Sequence, residues 1–148
     1  ITDHEKKMLS SVFTLNDKTV GEIMIPKPGM KMMDIRAPLK EAINTVLETG
    51  YTRFPVRGKE PEQIIGFIHA KDLFTLLEND PQASLHKIMR PPEFISEDTK
   101  IDQQLLSFKR RKVHLAVVLD AAGRVTGLVT LEDILEELVG SIKDEHDE

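Results

Sequence analysis

The sequence predicts an α/β fold made of two copies of one strand–helix–strand–strand–helix unit, preceded by a short helix. Three observations predict it. Gly127-Leu128-Val129-Thr130-Leu131-Glu132-Asp133 is an apolar run that ends at a threonine. It passes into a helical pattern with Leu131, Ile134, Leu135 and Leu138 on one face and Gly140 placed to stop it. Gly66-Phe67-Ile68-His69-Ala70-Lys71-Asp72 matches this stretch 61 residues earlier, Gly on Gly, Asp on Asp and apolar on apolar. Thr19-Val20-Gly21-Glu22-Ile23-Met24-Ile25-Pro26 recurs 65 residues later as Ser84-Leu85-His86-Lys87-Ile88-Met89-Arg90-Pro91. The difference in offset makes the first copy a few residues longer, in the turn region Lys27-Pro28-Gly29.

Residues 1–19 read as a leading helix, with Met8, Leu9, Val12 and Phe13 at helical spacing and Asn16-Asp17 at its end. Repeat 1 spans 20–83. It opens on one helical turn with an Ile-Met pair, halted by Pro26, since a proline disfavours helix at the residue before it. Met32-Met33-Asp34-Ile35 is a strand. Leu39, Ala42, Ile43, Val46 and Leu47 form one helical stripe, with Gly50 as C-terminal cap. Two strands follow, Arg53 to Arg57 and Ile64 to Ile68; Pro55 argues that the first is an edge or carries a bulge. Repeat 2 spans 84–142 and has the same order. Glu93-Phe94-Ile95 is its strand. Ile101, Leu105, Leu106 and Phe108 form its helical stripe, entered by Asp98-Thr99 as cap candidates. His114 to Leu119 and Arg124 to Val129 are its strand pair, joined by the tight turn Asp120-Ala121-Ala122-Gly123. Either sheet offers too little face for a stable isolated domain, so two units packed sheet to sheet would share a core. Residues 143–148 are an acidic tail expected to fray.

Composition narrows the function. The chain has 148 residues, 40% of them apolar, enough for a packed core. A net charge of −5 with no Trp and one Tyr argues against nucleic acid as a partner, which needs a basic face or a stacking platform. Cysteine is absent, which excludes disulfides and thiolate metal sites. No apolar run reaches the roughly 20 residues that span a bilayer. The start at Ile1, with no basic segment and apolar core, reads as a piece of something longer. No Gly-x-Ser-x-Gly turn, Gly-Lys-Ser/Thr phosphate loop or His-Glu-x-x-His pair is present, so catalysis finds no support. Asp144, Glu145, His146, Asp147 and Glu148, and likewise Asp3, His4 and Glu5, read as solvated charge runs; hard oxygen ligands need preorganised geometry to hold magnesium.

Thr130 and Asp133 stand at a helix start, where backbone N–H groups lack partners and the helix dipole favours anions. Thr-x-x-Asp there resembles a capping box, and the residues alone leave cap and ligand site evenly matched. Thr52 and Arg53 by themselves read as an exposed edge with a solvated cation.

The duplicated pattern resembles a tandem CBS pair, or Bateman module. The resemblance rests on the Ile-Met-x-Pro turns, Tyr51-Thr52-Arg53-Phe54-Pro55-Val56, Ala70-Lys71-Asp72-Leu73, His114-Leu115-Ala116-Val117-Val118 and the stretch Gly127 to Gly140. It covers about residues 20–142. More narrowly it resembles the cytosolic module of the CorC/HlyC hemolysin-related proteins, relatives of the cyclin M magnesium transporters. The resemblance implies a regulatory module on the cytoplasmic face of the membrane, binding AMP or ATP, with Mg2+ arriving on the phosphates. It implies a homodimer, and an upstream membrane domain joined through residues 1–19 and linked to magnesium and cobalt efflux. It implies that nucleotide lies in a cleft between the repeats and meets Thr52, Arg53, Phe54, Pro55, His114, Thr130 and Asp133. Asp133 would accept hydrogen bonds from the ribose hydroxyls. Arg53 would lie near the phosphates, with Phe54 and Pro55 bordering the adenine. His69 stands where the motif has threonine, so the cleft using His69 and Asp72 is expected to be weaker or empty. Asp120-Ala121-Ala122-Gly123-Arg124 departs from an acidic-Gly-Gly turn common in the family and predicts a changed hairpin only. The alternative is a dimerisation module whose nucleotide clefts have degenerated.

Overall fold

The computed structural model describes residues 2, 3, 5, 17–60 and 62–146, the last six as backbone. The leading helix expected on Met8, Leu9, Val12 and Phe13 lies outside the described residues, as do Asp147 and Glu148. In chain order the elements are α1 (Val20–Ile23), β1 (Ile25–Pro26), a 3-10 turn (Lys27–Gly29), β2 (Met33–Asp34), α2 (Leu39–Thr49), β3 (Arg53–Arg57), β4 (Ile64–His69) and α3 (Ala70–Asn79). A second 3-10 turn (Leu85–Lys87), β5 (Phe94–Ser96), α4 (Ile101–Arg111), β6 (Leu115–Leu119), β7 (Val125–Thr130) and α5 (Leu131–His146) follow.

The chain folds as two compact units. The first unit is Gly29–Glu93; the second joins Ile1–Pro28 to Phe94–Glu148. Unit and sequence repeat therefore differ at their edges. Residues 20–28 lie in the unit of the second repeat, and residues 84–93 stay with the first.

In the first unit the sheet order is β2-β3-β4, parallel between β2 and β3 and antiparallel between β3 and β4. Phe54, Val56 and Ile68 on one face pack with Leu39, Ala42, Ile43 and Val46 of α2 and Leu73 and Leu76 of α3. Each such large apolar side chain, fully buried, contributes about 1.5–3 kcal/mol. Leu85 closes this core, which keeps the start of repeat 2 in this unit. Of the two expectations for β3, an edge or a bulge, the edge fails, since β3 is the central strand, and the bulge is met by a register shift between Val56 and Arg57. Pro55 is tolerated because β2 pairs only with Val56 and Arg57, so β3 has no β2 neighbour at the proline.

The second unit has a four-stranded sheet, β1-β7-β6-β5. Its core gathers Val20, Ile101, Phe108, Ala116, Val118, Val129, Ile134 and Leu138. β1 joins through Ile25↔Leu128 and Pro26↔Gly127. Gly127 permits this close crossing: a Cβ there would meet the Ile25 carbonyl oxygen, and would lie 2.7 Å from Met24 Sδ. Gly66 plays the same part in the first unit, where a Cβ would lie 2.7 Å from the Arg90 carbonyl oxygen. At the β6–β7 turn, Asp120 Oδ1 accepts from the N–H groups of Ala122 and Arg124, both at 2.9 Å, and Gly123 takes φ 81°.

Gly50 caps α2 as expected, with φ 71°. Four expectations need correction. Leu47, Leu106 and Leu135 are not in the core stripes; they are 69%, 48% and 45% exposed. At 3.6 residues per turn, Leu47 and Leu135 sit about 80° round from the buried centres of their helices, and Leu106 about 140° round from Ile101. The buried fourth position of α4 is instead Gln104, at 2% exposure. Asp98 and Thr99 do not cap α4. Lys100 holds the cap position without a side-chain bond, while the Thr99 carbonyl accepts from Val20 N–H at 2.8 Å and ties α1 down. Gly140 does not stop α5, and residues 143–146 of the supposed frayed tail are helical. A glycine inside a helix costs only about 1 kcal/mol relative to alanine, too little to end it alone.

Candidate nucleotide site

In the second unit, β7 ends at Thr130 and α5 starts at the next residue. The capping box is formed, with Asp in the place usually held by Glu. Thr130 Oγ1 accepts from Asp133 N–H and Asp133 Oδ2 accepts from Thr130 N–H, each at 3.2 Å. Two otherwise orphaned helix-start donors are thereby satisfied. The His114 carbonyl accepts from Leu131 N–H at 2.8 Å, and Leu115 pairs with Thr130 across β6 and β7. His114, Thr130 and Asp133 thus converge at one end of the sheet.

A recess of about 420 Å3 opens beside Asp133, lined by Lys18, Glu22, Ile23, Asp133, Glu136 and Glu137. Lys18 is ion-paired with Glu137. A lining richer in carboxylates than in cations suits uncharged hydroxyls better than phosphates. An ionised carboxylate only accepts, so it matches the two donors of a sugar diol. Asp133 uses one oxygen in the cap and retains acceptor capacity on both.

In the first unit the Thr52 carbonyl accepts from Ala70 N–H at 2.8 Å, and Arg53 pairs with His69 across β3 and β4. These residues and Asp72 converge as their counterparts do. Phe54 is fully buried, and its ring fills the core of its unit. Pro55 is buried beside it, while Thr52 is exposed. His69 takes the threonine's place as cap, its Nδ1 accepting from Lys71 N–H at 3.1 Å. Burial and then the Arg53 charge push the His69 pKa below its ordinary value, against the opposing pull of Asp72. Asp72 is held differently from Asp133: Arg90 Nη2 donates to its Oδ2 at 2.8 Å.

Reading the sequence missed Arg90 and the wall of the recess. Lys18, Glu22 and Ile23 reach it only because the start of repeat 1 belongs to the other unit. Their one signal is the Ile-Met-x-Pro repeat, which marks corresponding residues without saying which sheet they join. Among the described residues, no group of three or more His, Cys, Asp or Glu side chains is placed to hold a metal ion.

Two copies of one α/β unit, each delivering a helix start with an aspartate on its third residue, define a tandem CBS pair. The CBS domain family model matches twice, over residues 20–79 and 85–140. The chain belongs to the CBS-domain family, in its CNNM/CorC branch. It is 37% identical over 149 residues to the magnesium and cobalt efflux protein CorC of Salmonella typhimurium, covering all of this chain and 51% of that protein. The chain thus spans about half the length of the CorC proteins it matches. Among solved structures, it is similar to the CBS domain of the bacterial CNNM/CorC family Mg2+ transporter in complex with ATP. That match has a TM-score of 0.82 at 35% identity, covering 93% of this chain and 98% of the other. It is also similar to a CBS-domain pair with bound AMP from Klebsiella pneumoniae, with a TM-score of 0.72 at 25% identity, covering 83% and 99%.

Proposed function

We propose that the chain is a regulatory adenosine-nucleotide-binding module, the sensor of a longer CorC-type membrane protein concerned with magnesium and cobalt efflux. The observation that carries this is the start of α5. There Asp133, oriented by the Thr130 cap, faces a recess and retains free acceptor capacity. Asp133 and Thr130 take the ribose, with His114 beside them. Thr52, Arg53 and Pro55 contribute to nucleotide binding, and Arg53 supplies a guanidinium that grips phosphate oxygens in pairs. Phe54 acts through the strand it anchors. The relative in complex with ATP supports the ligand class. Mg2+ enters with the phosphates. Binding favours one arrangement of the module, and residues 1–19 pass that bias to the membrane part. No helix among the described residues is long and apolar enough to cross a membrane.

The test is a thermal-shift series with AMP, ADP and ATP, with and without Mg2+. A nucleotide at about 100 times its dissociation constant adds roughly 2.7 kcal/mol, several degrees for a domain of this size. A shift with one nucleotide that vanishes in Asp133→Ala establishes the sensor. The absence of any shift in a folded protein removes it.

A specific observation favours a second, compatible reading as a homodimer. Leu47, Phe74 and Leu77 of the first unit and Leu106, Leu135 and Val139 of the second are exposed on the helices. Light scattering is expected to show a dimer that the double substitution Phe74→Glu with Leu135→Glu converts to monomer. A monomeric parent chain at micromolar concentration removes this reading.

A further inference from the structure

We propose that Arg90 decides which repeat takes the nucleotide, because its guanidinium latches Asp72. The proposal rests on the reading of Asp133 as a ribose acceptor and extends it to the other repeat. Arg90 and Ile25 are counterparts. Each follows an Ile-Met pair, each precedes a proline, and each crosses its sheet beside a glycine that allows no side chain. In the first unit the crossing is a single bridge: Arg90 N–H donates to the Phe67 carbonyl at 2.9 Å, and Phe67 N–H donates to the Arg90 carbonyl at 3.0 Å. In the second, Ile25 pairs with Leu128.

From matching backbone positions the two side chains do opposite things. The Arg90 guanidinium meets the Asp72 carboxylate at 2.8 Å, whereas the Ile25 side chain has nothing to donate. The guanidinium occupies Asp72 Oδ2 and brings a full positive charge to it, so a neutral sugar hydroxyl must displace a cation to bond the same oxygen. The charges of Asp72, Arg90, Arg53 and Lys71 all act on the His69 ring, which places the pair in a cluster with more cations than carboxylates. The Arg90 side chain is 52% exposed and that of Asp72 30%. Such a pair adds little to folding stability, so its removal leaves the fold in place. The latch therefore closes the half-site of the first unit without being needed to build it.

Calorimetric titration of the chain with ATP, with and without Mg2+, tests this, with thermal melting to verify that each variant is folded. Expected is one ATP per wild-type chain, lost in Asp133→Ala. Arg90→Ile and Arg90→Ala take a second ATP, which Asp72→Ala removes again. Two ATP per wild-type chain, one of them lost in Asp72→Ala, overturns the latch. So does a single ATP in both Arg90 variants, or a second ATP gained by His69→Thr with Arg90 in place. If the wild type binds none while the Arg90 variants bind one that depends on Asp72, the latch stands and the Asp133 reading falls. Binding in no variant overturns both.

Discussion

Asp133 and Asp72 sit at the same point of the same unit, and their neighbours set them to different tasks. Asp133 returns one hydrogen bond to the backbone of the threonine that caps it, and a recess lies beside it. The histidine that caps the Asp72 helix takes the Lys71 N–H instead, and an arginine lies across the Asp72 carboxylate. Duplication preserved the backbone scaffold, including the glycine that lets a neighbouring segment cross. The side chains at three positions, Thr130 against His69, His114 against Arg53 and Ile25 against Arg90, then separated the two sites electrostatically. In one site the carboxylate is held by a backbone N–H; in the other, a guanidinium lies against it.

The comparison leads first to binding. Asp133→Ala is expected to weaken nucleotide affinity on the order of 100-fold, since a hydrogen bond to a charged group is worth about 1.5–3 kcal/mol. Asp72→Ala should leave it within about two-fold. Equal losses in the two variants, read by calorimetry, would remove the asymmetry. Next come the crossing glycines. Gly127→Ala and Gly66→Ala each force a Cβ against a backbone oxygen, and urea unfolding should show a loss of about 1–3 kcal/mol in either. No loss in one would mean that its crossing strand adjusts.

The cores differ as well. The Gln104 Nε2 in α4 is buried with no hydrogen-bond partner, while the matching position in α2 is Ala42, 1% exposed. Gln104→Met should raise stability by about 1 kcal/mol, because it removes a donor whose hydration was lost without replacement. A fall in stability would show that the amide is bound in the folded protein. The smallest effect is that of pH. The His69 pKa is lowered in the folded state, so the unfolded chain takes up a proton first as pH falls. Its stabilising contribution is complete above about pH 6.5 and is lost as pH falls through the lowered folded value. The imidazolium can no longer accept the Lys71 N–H. Melting temperatures between pH 7 and 5 should fall more in the wild type than in His69→Thr, which replaces the cap with the non-titrating residue of the other unit.

The sequence carried the duplication, the order of strands and helices, and the helix start at Thr130 and Asp133. These are local matters: an apolar period, a capping side chain, a proline or glycine acts on its own few residues, and each such effect can be read in one dimension. It also marked His69 as a departure. The outer stripe positions Leu47, Leu106 and Leu135 were misjudged because spacing alone does not locate the centre of a buried face. That centre is set by what the helix packs against. Gly140 was misjudged in the same way, since a weak local preference yields to the helix around it. Only the tertiary structure decided that residues 20–28 pair with β7, that Lys18, Glu22 and Ile23 wall the recess at Asp133, and that Arg90 stands across from Asp72. Those contacts join residues far apart in the chain, and their energy comes from two segments meeting, which neither segment records by itself.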